Sequence, residues 1–457
     1  MSKTPPLEVI ILAAGKGTRM YSDVPKVLHI IGNQPLLAHV IGVARALSPK
    51  AIHVVYGHGG ESVPEAINQA DLNWVMQDQQ LGTGHAVDQA MPHVDDDSRV
   101  LVLYGDVPLT RASSLQALVD IAGDGVAVMT ALLGDASGYG RIVRDKNSND
   151  VMAIVEHKDL ADDQTGINEI NSGYITAPAK QLRQWLTQLG NNNAAGEYYL
   201  TDIVAMSVAD AISVKGHIAK DNDEILGINN KQQLAYLERA YQTRIAADLL
   251  TQGVTLRDPA RIDVRGELQA GRDVEIDINV VIEGKVILGD RAHIGPNCVL
   301  KNISIGDDTQ VFANSVLEQA EIGKACRIGP FARIRPEAVI ADEAHIGNFV
   351  EIKKSHIGKG SKVNHLAYIG DTQMGSGVNI GAGTITCNYD GANKYQTIIG
   401  DNAFIGSNTQ LVAPVKVGDN ATIGAGSTIT ADTPGDQLTL TRVKQKSISG
   451  WKRPVKK

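Results

Sequence analysis

Cysteine is scarce in this 457-residue chain: the three, Cys298, Cys326 and Cys387, are odd in number and far apart. They match neither a disulfide framework, a zinc spacing nor a CxxC pair, so a reducing compartment, the cytoplasm, is the expectation. Positive charge is also short. Lys and Arg number 43 against 51 Asp and Glu, a net charge of −8, which excludes the basic stripe of a nucleic-acid binder. A few local cations would still serve a nucleotide. No stretch approaches the ~18 apolar residues of a membrane span, and MSKTPP, running straight into VIIL, reads as no signal peptide. Aromatic residues make up only 4% of the chain, and a core without rings needs small aliphatics in a regular arrangement.

What is present divides in two, as the length alone suggests. From residue 8 to about 230, apolar strands such as Val9–Leu12, Ile52–Tyr56 and Val100–Tyr104 alternate with helical segments. Such alternation predicts an open, Rossmann-like α/β domain over 1–230, with ligands at the carboxyl ends of its strands. Residues 231–252 place Leu234, Leu237, Tyr241, Ile245 and Leu249 at helical spacing, with Asn230 as N-cap and Gly253 as stop. This segment is expected as a linker helix.

Beyond it, Ile-Gly, Leu-Gly and Val-Gly pairs recur from Gly289 to Gly424 at intervals all within one residue of a multiple of six. A six-residue unit is one short strand and one corner, and three units make a triangular coil with aliphatics inside and glycines at the corners. A β-helix is expected over 253–437, followed by a tail, 438–457.

In the first half, LAAGKGTRM (Leu12–Met20) follows a buried strand. Gly15 and Gly17 allow backbone N–H groups close to a phosphate, with Lys16, Arg19 and Lys26 supplying charge. A Gly-rich turn with solvated charges would look the same. In YGDVPL, Asp106 stands just past a strand end, where a carboxylate holds a metal or merely caps a turn. Company tips the balance, since QLGTGHA from Gln80, GYGRI from Gly138, IVEHKD from Ile154 and EINSG from Glu169 also fall at sheet ends.

On these motifs the chain resembles the sugar-1-phosphate nucleotidyltransferases, and within them the bifunctional N-acetylglucosamine-1-phosphate uridyltransferase/glucosamine-1-phosphate N-acetyltransferases, over nearly its whole length. The resemblance implies that Leu12, Ala13, Ala14 and Gly15 line the nucleotide, that Arg19 and Lys26 hold its phosphates, and that Gln77, Gly82 and Thr83 read the uracil edge. It further implies that Tyr104 and Gly105 border the substrate, that Gly140, Glu156 and Asn171 bind the sugar, and that Asp106 and Asn229 ligate Mg²⁺. A single Asp with an Asn carbonyl suits Mg²⁺, which commonly keeps few protein ligands.

In the second half the repeat is broken by RIRPEA with Arg333 and Arg335, by GNFVEIKK with Glu351, Lys353 and Lys354, and by KVNHLAYIGD with His365 and Tyr368. CNYDGANKYQT (387–397) should bulge as a loop, the usual place for binding residues. Histidine suits a base for acetyl transfer near neutrality. Glu351 and Asn379 stand equally far before and after His365 in the sequence, so neighbouring coils are expected to bring the three together. The resemblance implies His365 as general base, and a left-handed β-helix. It also implies Arg335, Lys353, Tyr368 and Asn379 on glucosamine-1-phosphate, and Ala382, Asn388, Tyr389, Ser407, Ala425 and Arg442 on acetyl-CoA.

The expected activity is synthesis of UDP-N-acetylglucosamine, which feeds peptidoglycan and lipopolysaccharide precursors, from glucosamine-1-phosphate, acetyl-CoA and UTP. The expected assembly is a homotrimer with the acetyltransferase site at the subunit interface. Two other readings stand beside it: a nucleotidyltransferase whose β-helix only oligomerises or regulates, and a non-catalytic sugar-nucleotide sensor. The tail WKRPVKK either approaches the CoA phosphates or is a solvated terminus.

Overall fold

A computed structural model describes residues 5–456; the first four residues of MSKTPP and the terminal Lys457 lie outside them. The chain forms two compact units, Met1–Tyr241 and Gln242–Lys457.

The first unit is built on LEVIIL (Leu7–Leu12), every residue of which is buried after Leu7. A strand apolar on both faces must lie inside a sheet. It pairs in parallel with Ala51–Tyr56 and with Arg99–Tyr104, and Asn73–Met76 extends the parallel set. Four parallel strands therefore end on one edge, and their loops gather there. The sheet is nonetheless mixed, because Glu169–Pro178 runs antiparallel to both its neighbours, Arg99–Tyr104 and Val126–Leu132. Its entry end thus meets the exit ends of the others. The register shifts between Asn171 and Ile175, where Gly173 adopts φ 91° and a Cβ would strike the Tyr104 ring at 2.6 Å.

The helix Lys231–Thr251 starts where Asn230 Oδ1 accepts from Gln233 N at 2.9 Å, an N-cap. Leu237 is buried among Met20, Ile31, Leu36, Leu109 and Ile228 of the first unit. Ala246 and Leu249 are buried in the core of the second. There, the Gln242 side-chain amide makes a pair of hydrogen bonds with the Val264 backbone, donating from Nε2 to Val264 O at 3.0 Å and accepting at Oε1 from Val264 N at 2.7 Å.

The second unit is a parallel β-helix whose short strands form three faces. Ile276, Ile294, Val311, Ile328, Ile346, Val363 and Ile380 pair in succession, one from each coil, and all are buried. Each such side chain contributes about 1.5–3 kcal/mol of burial, so a long stack of aliphatics replaces the missing rings. Ile380 then pairs with Ile405, a longer interval that accommodates the protruding loop. The buried thiols of Cys298 and Cys326 point at carbonyls of the next coil, Phe312 O at 3.3 Å and Ala341 O at 3.2 Å, and burial pushes Cys298 up to about 11.

The corner glycines stand where the sequence places them, but not because the turn needs a left-handed backbone there. Gly306 does not have a left-handed backbone, but a Cβ there would lie 2.7 Å from the carbonyl carbon of Gly323 in the next coil. The left-handed residue comes two positions later, Asp308 at φ 58°. Gly347 repeats the pattern, its Cβ falling 1.9 Å from Asn364 O while Phe349 takes φ 56°. Glycine is required here by the approach of coils, and the turn itself falls to the residue two positions on, in many coils an Asn or Asp, which tolerate that conformation. Gly306→Ala should therefore destabilise the β-helix by about 1–3 kcal/mol through overpacking. Asn314→Gly, at a φ of 60°, should change it by less than about 0.5 kcal/mol; denaturant midpoints of the two variants check the contrast.

Candidate functional sites

The loops at the parallel edge of the first unit enclose a cavity of about 330 Å³. Leu12, Ala13, Ala14 and Gly15 supply one wall, Gln77, Gly82 and Thr83 another, and Tyr104, Asp106 and Lys26 the floor. The space above Gly15 is open, with nothing within 4 Å of a Cβ built there. Gln77 is buried, its amide nitrogen 3.3 Å from Gly82 O and 2.9 Å from His85 Nδ1. Gly105 donates to Leu12 O at 2.9 Å, which ties the first and third of the expected loops together.

Lys26 and Asp106 form an ion pair, both side chains largely shielded. The same ammonium donates to Asn229 Oδ1 at 3.2 Å, and Arg19 reaches that oxygen at 3.1 Å. Ile228 N donates to Asp106 O at 3.0 Å, so the GINN stretch is fastened beside the carboxylate. Two oxygens of different residues thus converge on one cationic nitrogen. Among the described residues no three His, Cys, Asp or Glu side chains gather to hold a metal. A cation at Asp106 and Asn229 must complete its shell from phosphate and water, as Mg²⁺ habitually does.

Gly140, Glu156 and Asn171 are brought together next to this cavity by the antiparallel strands. Asn171 N donates to Gly140 O at 2.9 Å, and a Cβ on Gly140 would stand 3.3 Å from Glu156 Oε2. Glu156 lines an adjoining cavity of about 390 Å³ with Asp159, Tyr199 and Asp202. Burial pushes its carboxyl above the usual range and Asp202 and Asp159 add to this, against a hydrogen bond from Thr201 at 3.1 Å. Burial likewise raises the Tyr104 phenol, with Glu156 and Asp106 adding to it, so Tyr104 remains a donor.

Val27, Gln80, Ala86 and Glu197 complete the first cavity and lie outside the expected set. Glu197 arrives because Tyr198 bridges the Gly82 loop, its N donating to Leu81 O and its O accepting from Gly84 N, both at 2.8 Å. The only signal in the sequence is the polar, small-residue run 191–196, NNNAAG.

In the β-helix, His365 sits at the corner between the strands Lys362–His365 and Tyr368–Gly370. Glu351 and Asn379, expected beside it, are not its coil neighbours. Asn348 pairs directly with His365, whereas Glu351 pairs with Tyr368 and Asn379 with Lys362. One circuit of the helix is longer than the interval that separates His365 from either expected partner. Asn379 and Tyr368 consequently flank the corner on two different faces.

The corner itself forms a column. Gly383 N donates to His365 O at 3.4 Å, Asn408 N to Ala382 O at 2.7 Å, and Gly426 N to Ser407 O at 2.8 Å. His365, Ala382, Ser407 and Ala425 therefore follow one another up a single edge. Arg442 closes its top, 3.6 Å from where a Gly424 Cβ would be.

On the Tyr368 side, Ile334 pairs with Ile352, which stacks Arg335 beneath Lys353. Arg335 donates to Glu351 at 2.6 Å. Asn388 reaches the Tyr368 hydroxyl at 3.4 Å and Asp371 at 2.5 Å. Tyr389 is exposed on the loop, which the Asp390 carboxylate ties by accepting from Ala392 N and Asn393 N. Outside the column runs an unexpected apolar ladder. Phe331, Phe349 and Leu366 lie in successive coils, all about half exposed or more and all left-handed, and the two rings stack at 5.2 Å. The tail residues 441–456 are exposed, and no helix among the described residues is long and apolar enough to cross a membrane.

Residues 9–161 match the MobA-like NTP transferase domain, 264–345 the GMPPB C-terminal domain, and 396–431 the bacterial transferase hexapeptide repeats. A protein of Chromobacterium violaceum named bifunctional protein GlmU is 56% identical over 451 residues, 99% of each chain. Its namesake in Nitrosospira multiformis is 57% identical over 452 residues, 99% of this chain and 98% of its own.

Gly82 has φ 122°, and a Cβ there would lie 2.6 Å from Tyr198 O. Gly82→Ala should open that seam and weaken UTP binding about 5–150-fold, as a clash of about 1–3 kcal/mol implies; titration calorimetry measures it.

Proposed function

Because this chain belongs to the family of bifunctional GlmU proteins, we propose that its two constellations divide two transfer reactions between them. The chain is an enzyme of UDP-N-acetylglucosamine synthesis, both acetyltransferase and uridyltransferase. One reaction moves the acetyl group of acetyl-CoA to the amine of glucosamine-1-phosphate. The other joins the phosphate of N-acetylglucosamine-1-phosphate to the α-phosphorus of UTP and releases pyrophosphate. In this reading residues 1–230 carry uridylyl transfer, 231–252 link, 253–437 carry acetyl transfer, and 438–457 form a tail.

In uridylyl transfer two anions must meet, so positioning and charge neutralisation dominate. Leu12, Ala13, Ala14 and Gly15 line the nucleotide, with Gln77, Gly82 and Thr83 at the uracil. Arg19 and Lys26 hold phosphates, Tyr104 and Gly105 border the substrate, and Gly140, Glu156 and Asn171 take the sugar. Asp106 and Asn229 would hold a divalent cation, Mg²⁺ by its preference for oxygen, which when bound offsets phosphate charge. The convergence of their oxygens on Lys26 supports this, since the pair already accepts a cation.

In acetyl transfer His365 takes a proton from the amine as the nitrogen attacks the thioester carbonyl, and the thiolate of CoA leaves. Arg335, Lys353, Tyr368 and Asn379 bind glucosamine-1-phosphate from both sides of the corner. Ala382, Asn388, Tyr389, Ser407, Ala425 and Arg442 contact acetyl-CoA. The corner column carries this reading: a β-helix that only oligomerises needs no histidine, open edge and arginine aligned on one groove. We further propose a cytoplasmic homotrimer. A single chain leaves Phe331, Phe349 and Leu366 in water beside His365, and a second copy packed along that edge would cover them while completing the acetyl-CoA cleft.

Asp106→Ala should abolish uridylyl transfer and leave acetyl transfer near wild type. His365→Ala should do the reverse, slowing acetylation ~10²–10⁴-fold. Separate assays with N-acetylglucosamine-1-phosphate plus UTP, and with glucosamine-1-phosphate plus acetyl-CoA, read the two; uridylyl transfer retained by Asp106→Ala, or acetylation slowed less than about tenfold by His365→Ala, overturns the respective assignment.

For the assembly, His365→Ala chains are mixed with chains truncated before Arg442. Mixed trimers should regain part of the acetyl transfer, because one interface then combines an intact histidine with another chain's intact tail. No recovery, with mixed trimers present by native mass spectrometry, places the site within one chain.

A further inference from the structure

The ring of His365 is exposed on its corner, yet one contact orients it: Nδ1 lies 2.9 Å from Oδ1 of Asn348. An amide oxygen only accepts, so Nδ1 carries the N–H that donates to it. A neutral ring held this way has its lone pair on Nε2.

Asn348 is itself well fixed. It ends the strand His345–Asn348, stands in register with His365, and its carbonyl accepts from Leu366 N at 3.1 Å. Beside it, the two coils approach so closely at Gly347 that no Cβ fits.

The other groups around His365 bring no negative charge. The cavity of about 330 Å³ that includes it is lined by Phe312, Arg327, His345, Asn348 and Asn364 among others, without a carboxylate. Burial, then Arg327, Lys362 and His365, hold His345 below its usual range. Glu351, the carboxylate expected nearby, is engaged by Arg335.

We infer that Asn348 is the positioning residue of His365: its amide oxygen fixes Nδ1 as the N–H, turns Nε2 toward the amine of glucosamine-1-phosphate, and does so without a charge. After Nε2 takes the proton, Nδ1–H keeps the same bond, so no reorganisation accompanies the step. A carboxylate in this place would stabilise the imidazolium more and keep the ring protonated to higher pH. The role rests on His365 being the base.

Asn348→Ala should lower kcat of acetyl transfer about 10–100-fold, the range typical of groups that orient a functional histidine, with KM for glucosamine-1-phosphate within about twofold. Asn348→Asp should move the acid limb of the kcat/KM profile to higher pH, because the base must be deprotonated to act and its pKa is raised. An Asn348 whose side chain is turned away from the ring in solution, serving only the backbone, would leave that limb in place. The thermal unfolding midpoint of each variant, followed by circular dichroism, reports folding of the β-helix; if Asn348→Ala is unfolded, the limb in Asn348→Asp decides alone. Wild-type kcat in the first variant, or an unmoved limb in the second, overturns the inference. His365→Ala, run alongside, separates the two claims. If it retains acetyl transfer, the base assignment falls and takes the positioning role with it. If it is inactive while both Asn348 variants behave as wild type, only the positioning role falls.

Discussion

The second unit depends on a single constraint: each coil must lie within hydrogen-bonding distance of the next along its whole circuit. At the corners this brings backbone against backbone, and Gly306 and Gly347 mark the places where not even a methyl group fits. The constraint fixes the length of a circuit and so decides which side chains stack. His365, Ala382, Ser407 and Ala425 share an edge because they share a coil position. The loop 388–395 interrupts that count without disturbing it, since Ile380 and Ile405 resume the register. The geometry of that edge follows from arithmetic on the backbone, which decides which side chains share it.

The first unit solves the same problem differently. Parallel strands deliver the loops after Leu12 and Tyr104 to one edge, and the antiparallel strand Glu169–Pro178 brings Asn171 to that edge from the opposite direction. Acidic groups gather around Glu156, with Asp159 and Asp202, and basic ones around Asn229. Glu156 is raised by burial and by its acidic neighbours, whereas Lys26 and Arg19 share Asn229. A ligand carrying phosphates at one end and neutral hydroxyls at the other matches that polarity.

Much of this is legible in the residues. The regular glycines announce the β-helix, the buried run LEVIIL announces the central strand, and most of the expected nucleotide-site residues from Leu12 to Asp106 line one cavity. The failures have physical causes. Glycine spacing shows where coils turn but not why, and the left-handed role has passed to neighbours such as Asp308 and Phe349. Three six-residue units close a circuit longer than the interval from His365 to either expected partner. Glu351 and Asn379 therefore flank His365 instead of meeting it, and its true neighbour is Asn348. The run NNNAAG before Glu197 marks a loop but does not place that residue, because its position depends on the seam made by Tyr198. Asn348 stands in a segment conspicuous for its charges, and a neutral amide carries no signal until its partner is seen. The apolar ladder is hidden because Phe331, Phe349 and Leu366 belong to three different coils.

The bridge from Lys26 to Asp106 and Asn229 has one more consequence. A shielded carboxylate without a counter-ion would strain the fold whenever divalent cation was scarce. This chain carries its own, on a side chain long and flexible enough to withdraw. If Asp106 and Asn229 take a divalent cation, Lys26 would hold their place until it arrives, and the folding of this unit would not depend on the supply of metal.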